Sequence, residues 1–257
     1  MTPAAAVVLA GGLALVGRTI GWLTPGGALA AALVGALILV GGGVAGAALL
    51  ALFFISSSVL TYAVRPLPQV WNHREAGGRN ARQVLANGSW AALGAVLVTV
   101  QAAAGWPLLT GALAAAQADT WATEIGMRSR RAPRLITSGR PVPAGTSGGV
   151  TALGTFAAVA GAGATGIVAA ALGVPPHAAA AAVVGGTAGM LGDSILGATV
   201  QGVFHCESCA TETEHALHRC GIAARPVRGW RSLGNNAVNF VATGVGGLVA
   251  VAVWFLL

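Results

Sequence analysis

Eight apolar runs, at residues 4–22, 26–40, 44–64, 89–104, 108–127, 148–172, 178–204 and 237–257, take up most of this chain and limit what it can fold into. A helix needs about 17–25 apolar residues to cross a bilayer. The second and fourth runs fall slightly short of that, so seven to nine spans are expected, with eight the best count. The fold class that follows is all-α, a polytopic transmembrane helical bundle. Charged residues make up only 8% of the chain, against about 25% in a soluble domain, and mean hydropathy is +0.76. The polar residues are not gathered in one half, so a single integral membrane domain over residues 1–257 is expected. No basic segment precedes the first run, and a cleavable signal peptide is not expected.

Three long polar loops remain, at residues 65–88, 128–147 and 205–236. With eight spans, each neighbouring pair of loops is separated by two crossings, which puts all three on one face. Their net charges are +3, +5 and +1, and Arg18 belongs to the same side, whereas the connections near residues 41–43, 105–107 and 173–176 are uncharged. The positive-inside rule makes the arginine-bearing face cytoplasmic, so the expected location is the inner (plasma) membrane, with membrane lipid around the bundle. The net charge of +7 is read as orientation and phosphate contact, not as a nucleic-acid partner. A homo-oligomer is compatible with such a bundle.

Asp119, Glu124 and Asp193 are the carboxylates inside apolar runs. Placing a carboxylate within a span costs about 2.5–3.5 kcal/mol on translocon scales, so such residues usually serve a function. At about 1.5 Å per residue, Asp119 and Asp193 sit roughly 13 and 18 Å below the loops that follow them. Two carboxylates at similar depth are suited to share Mg²⁺, which takes one or two carboxylates plus substrate phosphates. Glu124 points about 140° away from Asp119 on an unbroken helix and ranks third as a ligand. Pairing with an arginine is the structural alternative for each.

The second loop carries Arg128, Arg130, Arg131, Arg134 and Arg140, and the chain re-enters an apolar run through Gly145, Thr146, Ser147, Gly148 and Gly149. An arginine fork suits a phosphate, as do the backbone N–H groups of a glycine turn opening a helix. Arg140 and the glycine turn are therefore phosphate-binding candidates, while Arg128, Arg130 and Arg131 read as positive-inside charge. A helix cap at Thr146 or Ser147 is the structural alternative. Asn80, Arg82 and Asn87 border a span and either contact a nucleotide or cap the helix. Asn235, Asn236 and Asn239 enter the last span and either bind substrate or satisfy one another in the core. The third loop holds Cys206 and Cys209 as C-x-x-C, followed by His218 and Cys220. Three thiolates and an imidazole form a closed tetrahedral zinc set, so a small structural metal knuckle within residues 205–236 is expected; free thiols are the alternative.

The segments ADTWATEIG, VPAGTSGG, LGDSILGATVQG and NNAVNF, with the arginine loop between the first two, resemble the integral-membrane family that contains phytyl-phosphate kinase and transmembrane protein 19. The match runs from about residue 79 to 240. The Asp-Thr-x-Ala-x-x-x-Gly block followed by a basic Gly-Thr-x-Gly-Gly segment also looks like the wider group of phytol kinase, dolichol kinase and CDP-diacylglycerol synthase, where lysines often stand in place of these arginines. The resemblance implies a CTP-dependent, Mg²⁺-dependent kinase that converts an isoprenyl monophosphate to the diphosphate. Asp119 and Asp193 would hold Mg²⁺, and Arg140 with the 145–149 turn would hold the triphosphate of CTP. The alternatives are a cytidylyltransferase making a CDP-lipid and an ion- or proton-coupled transporter.

Overall fold

The computed structural model describes residues 2–63, 78–218 and 220–257. Arg65, Arg74 and Glu75 of the first loop, and Arg219 of the third, lie outside the described residues. Among the described residues, seven helices follow in order: α1 (Pro3–Thr19), α2 (Pro25–Ala63), α3 (Ala81–Thr99), α4 (Gly105–Gly126), α5 (Ala152–Ala171), α6 (Pro176–Thr199) and α7 (Asn235–Leu256). Prolines open α1, α2 and α6, where a missing N–H costs nothing. Asn80 and Gln83 form a reciprocal capping box at the start of α3, and Thr151 caps α5 by accepting from Gly154 N at 2.9 Å.

The two apolar runs at 26–40 and 44–64 are joined in α2, which is interrupted at Gly43 (φ 55°, ψ −146°). A left-handed φ of this kind strongly favours glycine. The chain turns back on itself there. A Cβ on Gly46 would lie 3.0 Å from Ile38 Cγ2, and one on Gly35 would lie 3.9 Å from Leu50 Cδ2. On a straight helix these residues would be about 12 and 22 Å apart along the axis, so the halves of α2 run antiparallel as a tight helical hairpin.

Helices α2, α5, α6 and α7 are long and apolar enough to cross a membrane. Helix α1 has 17 residues, and α3 and α4 are diluted by Arg82, Gln83 and Asn87 and by Gln117, Asp119 and Glu124. The helices therefore do not establish eight spans. Nor is the chain wholly helical. Among the described residues, five short strands fold the second and third loops: β1 (Arg134–Leu135), β2 (Gly149–Val150), β3 (Val203–Cys206), β4 (Thr211–Thr213) and β5 (Arg225–Arg228). Strands β1 and β2 pair antiparallel, and the other three form a sheet in the order β4-β3-β5.

Helix α4 is the axis of the bundle, packed by α2, α3, α5, α6 and α7 and buried almost continuously from Gly105 to Ala118. Small residues allow this. Gly111 faces Gly246 and Ala250, Gly186 faces Ala114 and Ala162, and Gly189 faces Ala115 and Gly246. Lipid is as apolar as these surfaces, so close van der Waals contact holds such helices together.

The long connections leave from one end of the bundle. Trp22 stacks on Tyr62, with ring centres 6.3 Å apart, and the Tyr62 hydroxyl donates to Gly21 O at 3.0 Å. Leu23 pairs with Arg79, and Thr61 donates to Glu124 at 2.8 Å. The ends of α1, α2 and α4 and the start of α3 thus meet there. The turn at Gly43 lies at the other end, against Trp106 and Leu109 near the start of α4, through the neighbouring Gly42.

Candidate functional site

Where α4 and α6 reach this end, a cavity of about 480 Å³ opens between them and the folded second loop. That volume is within the roughly 300–1,000 Å³ of small-molecule sites. Asp119 and Thr123 enter it from α4, Asp193 and Ser194 from α6, and Asn235 from the first turn of α7. Gly145, Thr146, Ser147, Gly148 and Gly149 form the opposite wall, together with Arg130, Arg131 and the start of α5. Glu214, one residue past β4, closes one side.

The local sequence explains this placement. Gly126 at the end of α4 packs against Gly154 and Thr151, where an added Cβ would lie 3.1 Å from Gly154 Cα. The N-terminus of α5 is thereby drawn beside α4. Gly148 (φ 81°) lies directly on Ala198 near the end of α6, and Gly197 lies against Ser147 and Gly148. Ser147 Oγ donates to Gln201 Oε1 at 2.9 Å. Arg228, from β5, fastens the turn to α6 by donating through Nη2 to Ser147 O at 3.2 Å and through Nη1 to Ala198 O. Within the turn, Gly149 N–H is spent on Thr146 O and Thr146 N–H on Pro143 O. The N–H groups of Gly145, Ser147 and Gly148 make no hydrogen bond among the described residues.

Asp193 is held by Asn239, one turn into α7. With the amide nitrogen turned toward it, Asn239 donates to Asp193 Oδ2 at 3.0 Å and to Asn235 O at 3.2 Å. The nearest charged partner of Asp119 is Glu214, and those of Asp193 are Asp119 and Glu214; Arg130 and Arg131 stand on the far wall. Burial pushes the Glu214 carboxyl above its ordinary range, while the Gln201 amide and the His215 charge oppose that. Like charges gathered at one cavity wall repel, and a divalent cation is what such a set accommodates. The donor set fits Mg²⁺: hard oxygen ligands, open space for phosphates, and turn N–H groups across the cavity.

Several residues singled out from sequence lie elsewhere. Glu124 faces away from the cavity on an unbroken α4 and accepts from Thr61 in the corner where Arg79 packs over Phe53 and Phe54. Arg140 is exposed on the β1–β2 connection and does not line the cavity, whereas Arg130 and Arg131 do. Asn80 caps α3, Asn87 donates to Gln83 O at 2.9 Å, and Arg82 is exposed. Asn236 is half-buried and off the cavity wall. Glu214 was not legible as a site residue, because it sits in a polar loop with Glu207 and Glu212. Its nearness to the cysteine set is the signal that could have found it.

That set also comes together. One ligand atom from each of Cys206, Cys209, His218 and Cys220 lies within 4.8 Å of the other three. The His218 ring beside Cys220 draws its thiol down to about 6.

A helical bundle with two aspartates, a glycine turn and arginines at one end defines a polytopic membrane protein with a polar site at that end. The chain belongs to the family described as integral membrane protein DUF92, whose model matches residues 8–247. Among its relatives, Protein PGR of Arabidopsis thaliana is 32% identical over 227 residues, covering 76% of each chain. The uncharacterized membrane protein MJ0933 of Methanocaldococcus jannaschii is 33% identical over 178 residues, or 68% of this chain and 63% of its own length. No solved structure matches.

Proposed function

We propose that this protein is a CTP-dependent, Mg²⁺-dependent kinase of the phytyl-phosphate kinase and transmembrane protein 19 type, which phosphorylates an isoprenyl monophosphate at the cytoplasmic face of the plasma membrane. The observation that carries the proposal is one cavity lined by Asp119, Asp193, the 145–149 turn and two arginines. The apolar runs, including both arms of α2, are taken as eight spans, with the three long loops cytoplasmic.

In this scheme a phosphate oxygen of the lipid attacks the γ-phosphorus of CTP. The new O–P bond forms as the bond from the γ-phosphorus to the β,γ-bridging oxygen breaks, and CDP leaves with that electron pair. The attacking oxygen is already anionic, so no strong base is required, and positioning with charge neutralisation does most of the work. Mg²⁺, when bound, neutralises charge on the triphosphate. Asp119 and Asp193 would hold it, and Asn239 fixes the Asp193 carboxylate. The N–H groups of Gly145, Ser147 and Gly148 and the guanidinium groups of Arg130 and Arg131 receive phosphate oxygens.

The test uses purified protein, prenyl monophosphates of several chain lengths and CTP labelled in the γ-phosphate. Label in a lipid diphosphate supports the kinase. Label in released pyrophosphate identifies a cytidylyltransferase instead. No Mg²⁺-dependent turnover, or full turnover in Asp119→Asn, overturns the site assignment.

A further inference from the structure

We propose that Cys206, Cys209, His218 and Cys220 hold one zinc ion, and that the knuckle so formed carries Glu214 to the cavity wall beside Asp119 and Asp193. The zinc half stands on the fold alone. The part given to Glu214 rests on the Mg²⁺ and nucleotide reading above.

The four donors come from two segments that face each other. Cys206 ends β3, and Cys209 lies in the turn before β4, whose last residue, Ala210, has φ 50°. His218 and Cys220 come from a second segment, in which His218 N donates to Ile222 O at 2.9 Å and Gly221 N to His218 O at 2.9 Å. Cys206 Sγ and Cys220 Sγ are 3.6 Å apart, and His218 Nδ1 is 3.1 Å from Cys220 Sγ. Around one zinc at about 2.3 Å from sulfur and about 2.0–2.1 Å from nitrogen, tetrahedral ligand atoms lie roughly 3.5–3.8 Å apart. A small inward or outward adjustment of each side chain meets those distances. Three thiolates and one imidazole select zinc over the harder cations that suit the carboxylate cavity. The set is closed, with no position left for substrate, which makes the ion structural.

The sheet has need of such an ion. Its apolar core is Phe204, Cys206 and Ala224, and units this small are commonly stapled by a metal or by disulfides. The three cysteines are free. Among the described residues, strand β4 is an edge strand, paired to β3 through Thr211, Glu212 and Thr213. Glu214 follows it immediately, five residues after Cys209 and four before His218. Both ends of the segment that bears Glu214 are therefore anchored at the proposed ion. Strand β5, on the other side of β3, supplies Arg228, which clamps the glycine turn. The knuckle thus sets one wall of the cavity.

The experiment measures zinc per chain by mass spectrometry on full-length protein in detergent, together with the Mg²⁺ concentration that gives half-maximal CTP binding. Wild type is expected to carry about one zinc, and the double variant Cys206→Ser, Cys220→Ser to carry none. Because that variant could fail to fold, zinc is also stripped from folded wild type with a chelator. The melting temperature should fall and return when zinc is restored. Glu214→Gln should keep its zinc and need about 10-fold or more Mg²⁺, as loss of a ligand or supporting group commonly causes, and stripped wild type should show the same rise. Wild type without zinc, or with Cys206 and Cys220 joined as a disulfide, overturns the zinc site. Zinc present with an unchanged Mg²⁺ requirement in Glu214→Gln overturns the part given to Glu214. Zinc present with no Mg²⁺-dependent CTP binding in wild type also removes that part, and it does so through failure of the kinase reading while the knuckle stands.

Discussion

Replacing Gly148 with alanine tests how the glycine turn is seated on α6. Gly148 has φ 81°, and an added Cβ would lie 2.5 Å from Ala198 N and Cβ. Carbon contacts settle at about 3.5–4.0 Å, so the turn must lift by about 1 Å from a helix backbone that cannot yield. A left-handed non-glycine residue costs about 1–2 kcal/mol, and overpacking adds about 1–3 kcal/mol. Gly148→Ala is thus expected to lose about 2–5 kcal/mol. Gly139 provides the control. It lies in the same loop at φ 67° with nothing within 4 Å of an added Cβ, so Gly139→Ala should carry only the conformational cost of about 1–2 kcal/mol. The assay is thermal unfolding of both variants in one detergent, followed by Mg²⁺-dependent CTP binding. Equal losses in the two variants, or no loss in Gly148→Ala, would refute the packing of the turn on Ala198.

Three other substitutions probe separate contacts. Asn239→Leu removes the donor to Asp193 Oδ2 and should raise the Mg²⁺ requirement for CTP binding about 10–100-fold with the fold retained; an unchanged titration would count against it. Arg228→Met removes both donations that hold the turn to α6 and should cost about 1.5–3 kcal/mol in thermal unfolding; a variant as stable as wild type would show that the clamp carries no load. Glu124→Gln should leave the Mg²⁺ titration of CTP binding unchanged, because Glu124 meets Thr61 and not the cavity; a shifted titration would place Glu124 back among the ligands.

The helices were legible because their apolar runs are long and few charges interrupt them. The two aspartates stood out for the same reason, since a carboxylate is conspicuous against Ala, Gly and Leu. The loops were less legible. Arg140 precedes the glycine turn in sequence, yet on the β1–β2 connection it is exposed and off the cavity, while Arg130 and Arg131 line the cavity just after α4. No composition argument separates arginines a few residues apart in one loop. The hairpin at Gly43 was half visible, as a break of three glycines between two apolar runs. The sheet that carries Glu214 was hidden, because strands of three or four residues leave almost no alternating pattern. Asn239 was legible only as an amide needing a partner, and its partner lies 46 residues earlier on another helix.

Calorimetric titration of CTP into the purified chain, with and without Mg²⁺, for wild type, Asp119→Asn and Asp193→Asn, tests the cation site itself. If the two aspartates gather the cation that brings a triphosphate to the glycine turn, wild type binds about one CTP per chain only with Mg²⁺ present, and each variant loses that dependence along with most of the affinity. Binding in wild type that ignores Mg²⁺, or variants that bind CTP with Mg²⁺ as tightly as wild type, would contradict it.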